Sequence, residues 1–131
     1  MAFFTKLGFT FNMQLTDKNA ACMVIGDNIF AMLLTEPFFN TFTTKHIADT
    51  TRTASAIYAL SVDSKVEVDA FMANVIEAGG VEPRPAQDHG WMYGRSFTDI
   101  DGHNWEVFYM VINAMPENPA ALDATVQHEL A

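Results

Sequence analysis

The sequence predicts an α+β fold made of two related modules, and three observations indicate it. The second half of the chain reads as a strand, a helix and three further strands. The first half reads as the end of a helix followed by three strands, which is the same order without an opening strand. Residues 4–9 also match residues 76–81 locally, which supports an internal duplication. We therefore expect modules at about 1–34 and 54–112, joined by a linker at 35–53, within a single domain.

The clearest element is a helix predicted over Lys65–Ala78. Ser64 followed by Glu67 is a capping box, which satisfies two backbone N–H groups at the start of a helix. Gly79 and Gly80 mark the end, because glycine adopts the left-handed conformation at low cost. One apolar stripe at helical spacing predicts the buried face, and it consists of Val68, Phe71, Met72, Val75 and Ile76.

Seven segments are predicted to form strands, from their apolar alternation and the turn residues between them. Both faces of the segment 54–62 are largely apolar, so we expect this strand to be covered on each side. Asp99, Asp101 and Gly102 precede the last strand and are turn-forming residues. In chain order the predicted strands are Phe9–Leu15, Ala20–Ile25, Asn28–Leu34, Ala54–Val62, Val81–Gln87, Met92–Thr98 and Asn104–Ile112.

The linker and the tail carry further apolar groups. Thr35 can cap a short helix that has Pro37 in its first turn. We expect the aromatic rings of this helix to fill the core or a subunit interface. The alternative is that they form a lid over a pocket. These rings are Phe38, Phe39 and Phe42. The tail 115–131 is predicted to form a helix that is capped by Asn118 and docks on this chain or on a partner.

The composition limits the partners and the chemistry. Seven Lys and Arg against sixteen Asp and Glu give a net charge of −9, which argues against nucleic acid, since phosphate binding needs clustered cations. The same charge is compatible with a cationic or neutral small ligand. Cys22 is the only cysteine, so neither an internal disulfide nor a cysteine-based zinc site is possible. No apolar stretch is long enough to span a bilayer and no signal peptide is recognisable, so a cytoplasmic protein without membrane contact is expected.

The segment Phe97–Val107 carries a recognisable motif. Within it, Asp99–Glu106 resembles the signature D-P-D-G-(H/N)-x-(W/I)-E of the glyoxalase, bleomycin-resistance and extradiol-dioxygenase superfamily, also called the vicinal oxygen chelate proteins. Ile100 replaces the usual proline. The segment Ala59–Asp63 is similar to the opening strand of the family's second module. The resemblance, which includes lactoylglutathione lyase-like members, covers the chain up to about Ile112.

The resemblance implies two paired modules whose sheet curls around a cavity, with the helices outside, and a homodimer. Many members bind a divalent metal such as Zn, Ni, Mn or Fe through four inward-facing ligands. Others, such as the antibiotic-sequestering members, bind their ligand without a metal. Members normally place a strand and most of a helix before the segment equivalent to Ala2–Leu7, so we expect an N-terminally truncated first module. The missing strand is either cut away or supplied by a partner chain, and an exposed edge invites such pairing.

Of the four metal-ligand positions that the resemblance implies, one is matched. Glu106 stands at the position of the last-strand carboxylate. The first-strand position of the second module falls on Ile57, which has no lone pair to donate. The last-strand position of the first module falls near Met32, whose thioether is a poor ligand for these ions. The fourth position lies on the missing strand, so we expect no metal cofactor and keep a divalent metal as the alternative.

Glu106 and the neighbouring strand carry the candidate site. Alternation places Glu106 on one face with Phe108 and Met110, so its carboxylate can point into the cavity. It can act as a general base if it is buried and unpaired, or it pairs with Arg95 across the sheet, which we favour because buried charges are normally partnered. A strip predicted to stack a planar ligand or to line the core consists of Trp91, Tyr93, Arg95 and Phe97. The residues expected to line the cavity are Met32, Ile57, Trp91, Tyr93, Arg95 and Phe108.

These observations predict a glyoxalase-like or bleomycin-resistance-like protein that binds or sequesters a small molecule without a complete metal site. The net charge favours a cationic ligand. The alternative is an enzyme of the same superfamily, a lyase, isomerase or dioxygenase, in which Glu106 acts as base or as metal ligand. A third possibility is a structural remnant whose dimer matters more than its pocket.

Overall fold

The computed structural model describes residues 1–114, which form two β-sheets with short and long helices against them. The elements are α1 (Ala2–Lys6), β1 (Thr10–Asn12), β2 (Ala20–Gly26), β3 (Ile29–Leu34), α2 (Glu36–Phe39), β4 (Ile57–Ser61), α3 (Lys65–Glu77), β5 (Gln87–Asp88), β6 (Met92–Thr98) and β7 (Asn104–Met110). The first sheet has the order β1-β2-β3 and the second has the order β4-β7-β6-β5. Strands β4 and β7 are parallel and the other pairs are antiparallel. The predicted α+β class is confirmed.

Helix α3 begins where its capping box predicts. The Ser64 hydroxyl accepts a hydrogen bond from the Glu67 N–H at 3.1 Å. The Glu67 carboxylate in turn accepts one from the Asp63 N–H at 2.8 Å. The stripe of apolar residues is buried in part, because Ile76 is 53% exposed. Its fully buried members are Val68, Met72 and Val75.

The ends of α1 and α3 have the same backbone geometry. Leu7 caps α1 with φ −78° and ψ −8°, and Ala78 caps α3 with φ −78° and ψ −7°. The next residue is a glycine with positive φ in both cases, +102° at Gly8 and +100° at Gly79. Gly8 therefore corresponds to Gly79 rather than to Gly80, so the predicted alignment of residues 4–9 with 76–81 is wrong by one position.

One apolar core joins α1, α3 and the first and second sheets. Phe97 of β6 and Trp105 of β7 stack with ring centroids 6.1 Å apart, and Phe4 meets Trp105 edge-on at 5.4 Å. Because both sheets contribute to this core, the two halves of the chain pack as one unit. The buried members are Phe3, Phe4, Leu7, Met23, Val68, Met72, Val75, Phe97, Trp105 and Val107.

The turn between β6 and β7 is held by the buried side chain of Asp99. Its Oδ1 accepts hydrogen bonds from the N–H groups of Asp101 and His103 at 2.9 and 3.0 Å. Its Oδ2 accepts one from Trp105 Nε1 at 3.0 Å. The turn-forming role predicted for Asp99 is confirmed, and the same carboxylate also fixes a core tryptophan.

The linker passes against this turn. Thr50 Oγ1 donates a hydrogen bond to the Asp101 carbonyl at 2.5 Å. Gly102 has a φ of +90°, and a Cβ at this position would lie 2.5 Å from the Thr50 carbonyl oxygen. The turn therefore needs glycine at Gly102 for two reasons, its backbone conformation and the closeness of the linker.

The short helix predicted in the linker forms as α2, with Pro37 in its first turn. Thr35 is the N-cap residue, but its side chain accepts no capping hydrogen bond. The rings of Phe38 and Phe42 contact each other edge-on at 5.2 Å. Phe42 is 67% exposed and Phe39 is 43% exposed, so these two rings do not fill the core. The subunit interface and the lid stay predictions.

Two predicted strands are shorter than expected. Val81–Gln87 is not a strand, because Pro83 and Pro85 lack the N–H groups that a ladder needs. Val81 bridges Thr98 alone, and pairing resumes at β5. In the first half, β1 ends at Asn12, whose side chain accepts a hydrogen bond from Gln14 N–H and starts a turn of 3₁₀ helix over Met13–Leu15.

Both sheets are open within residues 1–114, so each has two edge strands, β1 and β3 in the first sheet and β4 and β5 in the second. The outer edge of β3 pairs with no strand among these residues. Strand β4 forms one edge of the second sheet, and the prediction that both of its faces are covered is wrong. Ile57 is 64% exposed and Tyr58 is 48% exposed. Phe30 and Met32 of β3 are also about half exposed, at 52% and 49%.

The helix predicted in the tail 115–131 lies outside the described residues. Within residues 1–114, none of the helices has the length and apolar character needed to cross a membrane.

Candidate functional site

A cavity of about 240 Å³ lies against the second sheet, on the face that points away from α3. Strand alternation builds this wall: Glu106, Phe108 and Met110 of β7 face it, together with the β6 residues opposite them. Most of the lining is apolar. The lining residues are Ala59, Arg84, Pro85, Gln87, Trp91, Met92, Gly94, Arg95, Ser96, Glu106, Phe108 and Met110, and we call this space the second-sheet cavity.

The carboxylate in this cavity wall is held by an arginine. Arg84 Nη2 lies 2.5 Å from Glu106 Oε1, and the Glu106 side chain is 31% exposed. Arg84 lies in the segment between α3 and β5, between Pro83 and Pro85. The predicted pairing of Glu106 with Arg95 is therefore wrong, although the expectation that Glu106 is ion-paired holds with a different partner. The condition for a general base, a buried and unpaired carboxylate, is not met in this structure.

Arg95 instead binds two acidic side chains near α3. Its Nε and Nη2 form a bidentate ion pair with the Glu82 carboxylate at 2.7 and 2.9 Å. Its Nη1 lies 3.1 Å from Asp69 Oδ1. The hydrogen bond from Arg95 lowers the pKa of Glu82, and the pairing raises the pKa of Arg95 itself. Asp69 also accepts a hydrogen bond from the Tyr93 hydroxyl at 2.7 Å. This bond is the main cause that lowers the pKa of Asp69, and it raises the pKa of Tyr93.

Ser96 is the least expected feature of the cavity wall. It stands directly opposite Glu106 in the β6–β7 ladder and is 7% exposed. Its Oγ is buried and has no hydrogen-bond partner among the described residues. Buried hydroxyls are normally hydrogen-bonded, so an unpartnered one in a cavity wall is unusual.

The predicted cavity residues divide into two groups. Trp91 and Phe108 line the second-sheet cavity together with Glu106. Arg95 also contributes to the lining, but its guanidinium turns away to Asp69 of α3. Met32, Ile57 and Tyr93 do not belong to its lining. Met32 lies on the first sheet, Ile57 begins an exposed edge strand, and Tyr93 carries its hydroxyl to α3, on the other side of the second sheet. Trp91 precedes β6 and lines the cavity, whereas the Tyr93 hydroxyl and the Arg95 guanidinium reach Asp69 on the other side of the sheet. The predicted strip therefore does not lie on one face.

Sequence reasoning missed Arg84 and Ser96. Ser96 could have been found, because it is two residues from Gly94 on the alternating face that opposes Glu106 and Phe108. Arg84 lies in an irregular segment, and no periodic pattern predicts where its side chain points. Its contact with Glu106 becomes visible only in three dimensions.

The donor groups present do not fit the divalent metal centre that the resemblance implies. Among the described residues, Glu106 is the one acidic side chain of the wall, and the guanidinium of Arg84 already occupies one of its oxygens. The other polar side chains that face the cavity include the amide of Gln87 and the hydroxyl of Ser96, and the cationic Arg84 disfavours a second cation nearby. Among residues 1–114, no three His, Cys, Asp or Glu side chains come together as a metal site would require. We derive no chemistry through a metal here.

Solved structures of similar shape were found for most of the chain. A hypothetical protein from S. aureus is 25% identical, with a TM-score of 0.70, over 82% of this chain and 80% of that one. A glyoxalase/bleomycin resistance protein/dioxygenase family enzyme from Burkholderia phytofirmans PsJN is 12% identical, with a TM-score of 0.71, over 83% and 86%. The bleomycin resistance determinant encoded on the transposon Tn5 is 17% identical, with a TM-score of 0.57, over 83% and 84%. No family model and no curated protein matches the sequence.

These likenesses define the class of fold. The chain has the two-module α+β fold of the glyoxalase, bleomycin-resistance and dioxygenase proteins. The resemblance to the vicinal oxygen chelate superfamily, inferred from residues 97–107, is confirmed at the level of the fold.

Proposed function

We propose that this chain binds a small, mostly apolar molecule in the second-sheet cavity, through side chains and without a bound metal. The observation that carries the proposal is the lining itself, in which apolar groups dominate and Arg84 and Glu106 are already paired with each other. Concave, mostly apolar pockets with a few polar groups are typical of small-molecule sites. A bleomycin resistance determinant is among the structures that share this fold, and this likeness supports the binding of a small molecule.

The charge of the ligand follows from the Arg84–Glu106 pair. The net charge of −9 favours cations in the surroundings of the protein. Inside the cavity, however, a cation would have to displace Arg84 from Glu106 or stand beside Arg84. A neutral ligand avoids both costs, so we propose a neutral ligand in preference to the cationic one that composition favours.

Filling the cavity tests this proposal. Gly94 lies in β6 and lines the cavity, and a Cβ added there would lie 3.6 Å from Phe108 Cβ, an ordinary contact. Gly94→Val is therefore expected to fold normally and to weaken the binding of an apolar probe, toluene, by at least about tenfold, since the new side chain takes its space. The measurement is an NMR titration that follows the methyl groups of Met92 and Met110.

Gly26→Val is the matched control. Gly26 also lies in a strand and has no positive φ, and its added Cβ would lie 3.8 Å from Ile29 Cβ, away from the cavity. It is expected to leave toluene binding unchanged. Equal binding by the wild type and Gly94→Val, or no binding by the wild type, would contradict the proposed site.

An enzyme in which Glu106 acts as base or metal ligand is the alternative, supported by the position of Glu106 in the cavity wall. Under the binding proposal, protein freed of its purification tag contains no stoichiometric zinc, nickel, manganese or iron. Glu106→Gln is then expected to bind toluene as the wild type does, because the apolar wall is retained. Stoichiometric metal that is lost in Glu106→Gln would favour the enzyme instead.

A further inference from the structure

The hydroxyl of Ser96 is a buried polar group without a protein partner, and it belongs to the wall of the second-sheet cavity. Leaving a buried hydroxyl unsatisfied costs free energy, so such a group needs an explanation. Ser96 is on the cavity face because it is paired directly with Glu106, and directly opposed residues of two antiparallel strands point to the same side. As the side chain stands its Oγ is closed to solvent, so a ligand in the cavity meets the hydroxyl after a rotation about the Ser96 Cα–Cβ bond.

Glu106 supplies the neighbouring polar group. The hydrogen bond that it makes with Arg84 uses Oε1. A carboxylate accepts several hydrogen bonds through its two oxygens, so Glu106 can accept one more from a ligand while it stays paired. A donor, the Ser96 O–H, and an acceptor, the Glu106 carboxylate, therefore stand side by side across one rung of the β6–β7 ladder.

We infer that Ser96 and Glu106 together recognise a carboxamide-like head group on a neutral ligand, one that carries an N–H donor next to a C=O acceptor. The inference rests on the proposed function, whose ligand class it specifies. The ligand N–H donates to Glu106, and the ligand carbonyl accepts from Ser96 Oγ. The apolar body of the ligand then packs against Phe108 and the methionines of the wall.

Other head groups fit the pair less well. A carboxylate would place a second anion beside Glu106 and has no N–H to donate. An amidinium would place a second cation beside Arg84. A purely apolar molecule leaves Ser96 without a partner. Size permits a single aromatic ring with a head group, because a cavity of about 150 Å³ already takes benzene and this one measures about 240 Å³.

Four small probes of similar shape test the inference by NMR titration: benzamide, toluene, benzoate and benzamidine. The wild type is expected to bind benzamide more tightly than the other three. In Ser96→Ala the affinity for benzamide is expected to fall about threefold to tenfold, the usual loss for one neutral hydrogen bond. The affinity for toluene is expected to stay the same, because toluene makes no hydrogen bond.

Ser61→Ala is the matched control, since Ser61 is a serine of the same sheet that is exposed and outside the cavity lining. It is expected to change no probe's affinity. Ser96→Ala is expected to unfold at the temperature of the wild type or above it, because the hydroxyl it removes has no protein partner. If Ser96→Ala does not fold, Ser96→Cys keeps the shape with a weak donor and is expected to show the same loss of benzamide affinity.

The outcomes separate the two proposals. Tighter binding of benzoate or benzamidine than of benzamide overturns the inference on the head group. Unchanged benzamide affinity in the Ser96 variants overturns it as well, and cavity binding then survives. Failure of the wild type to bind both toluene and benzamide overturns the proposed function itself.

Discussion

Asp99 shows how much one side chain can fix in this molecule. Its two carboxylate oxygens accept three hydrogen bonds, two from the backbone of the turn and one from the buried indole of Trp105. Hydrogen bonds to a charged group are stronger than neutral ones, and their loss leaves buried donors unsatisfied. Asp99 therefore couples the geometry of the β6–β7 turn to the packing of the core.

Replacing Asp99 is expected to destabilise the fold. Asp99→Ala removes all three acceptors and is expected to lower the free energy of unfolding by roughly 2–4 kcal/mol. Asp99→Asn keeps one oxygen but presents an NH₂ group where an acceptor is needed, and is expected to cost about 1–2 kcal/mol. Urea unfolding at neutral pH measures both.

Asp101→Ala is the control for this series, because Asp101 is exposed and takes part through its backbone N–H. Its effect is expected to stay within about 0.5 kcal/mol. An equal loss in Asp101→Ala and Asp99→Ala would mean that general turn propensity, and not the buried carboxylate, holds this region.

Helix α3 is tied to the second sheet by more than its apolar stripe. Asp69 of α3 binds both Arg95 and Tyr93 of β6, and Glu82 after the helix holds the same guanidinium from a second side. The side chains of Arg95 and Glu82 are 22% and 24% exposed, so solvent screens this pair only in part. The cluster fixes the guanidinium of Arg95 on the side of the second sheet that faces α3.

The pH dependence of the ion pair between Arg95 and Glu82 follows from the direction in which folding moves the pKa of Glu82. The hydrogen bond from Arg95 lowers the pKa of Glu82 in the folded state. The ionised Glu82 carboxylate therefore contributes its full stabilisation above the pKa of Glu82 in the unfolded chain, which is about 4.3. This contribution is lost as the pH falls through the lower pKa of Glu82 in the folded protein. Glu82→Gln is expected to be less stable than the wild type by about 1 kcal/mol at pH 7, and the difference is expected to shrink below pH of about 4.

Urea unfolding at pH 7 and near pH 3 measures this difference. Glu77→Gln serves as the control, since Glu77 is an exposed glutamate at the end of the same helix. A difference between the wild type and Glu82→Gln that stays constant or grows toward acid would show that Glu82 acts by packing rather than by its charge.

At the scale of the whole molecule, both sheets share one core, and the two end strands of each sheet have unpaired outer edges within residues 1–114. Exposed apolar side chains lie along these edges, including Phe30, Met32 and Ile57. Exposed sheet edges are typical places for further strands or chains to pair. The homodimer implied by the family resemblance stays a prediction, as do the cytoplasmic location and the absence of nucleic-acid partners.

Local sequence signals predicted α3, β6 and the β6–β7 turn, because capping residues, alternation and turn residues act over a few neighbours. The strand expected at 81–87 failed where Pro83 and Pro85 interrupt the ladder, a signal that was present in the sequence. The prediction that Ile57 is covered was wrong for another reason. The apolar character of a side chain does not show whether another part of the chain covers it. The partners of Glu106 and Arg95 depend on loop geometry, so the sequence could not assign them.

The close approach of the linker to Gly102 couples the evolution of two segments that are far apart in the chain. The carbonyl of Thr50 occupies the space where any other residue at position 102 would carry its first side-chain atom. A substitution of this glycine requires the linker to follow a different path. A longer linker that no longer approaches the turn would allow other residues at position 102. Divergent relatives should therefore differ at the two places together.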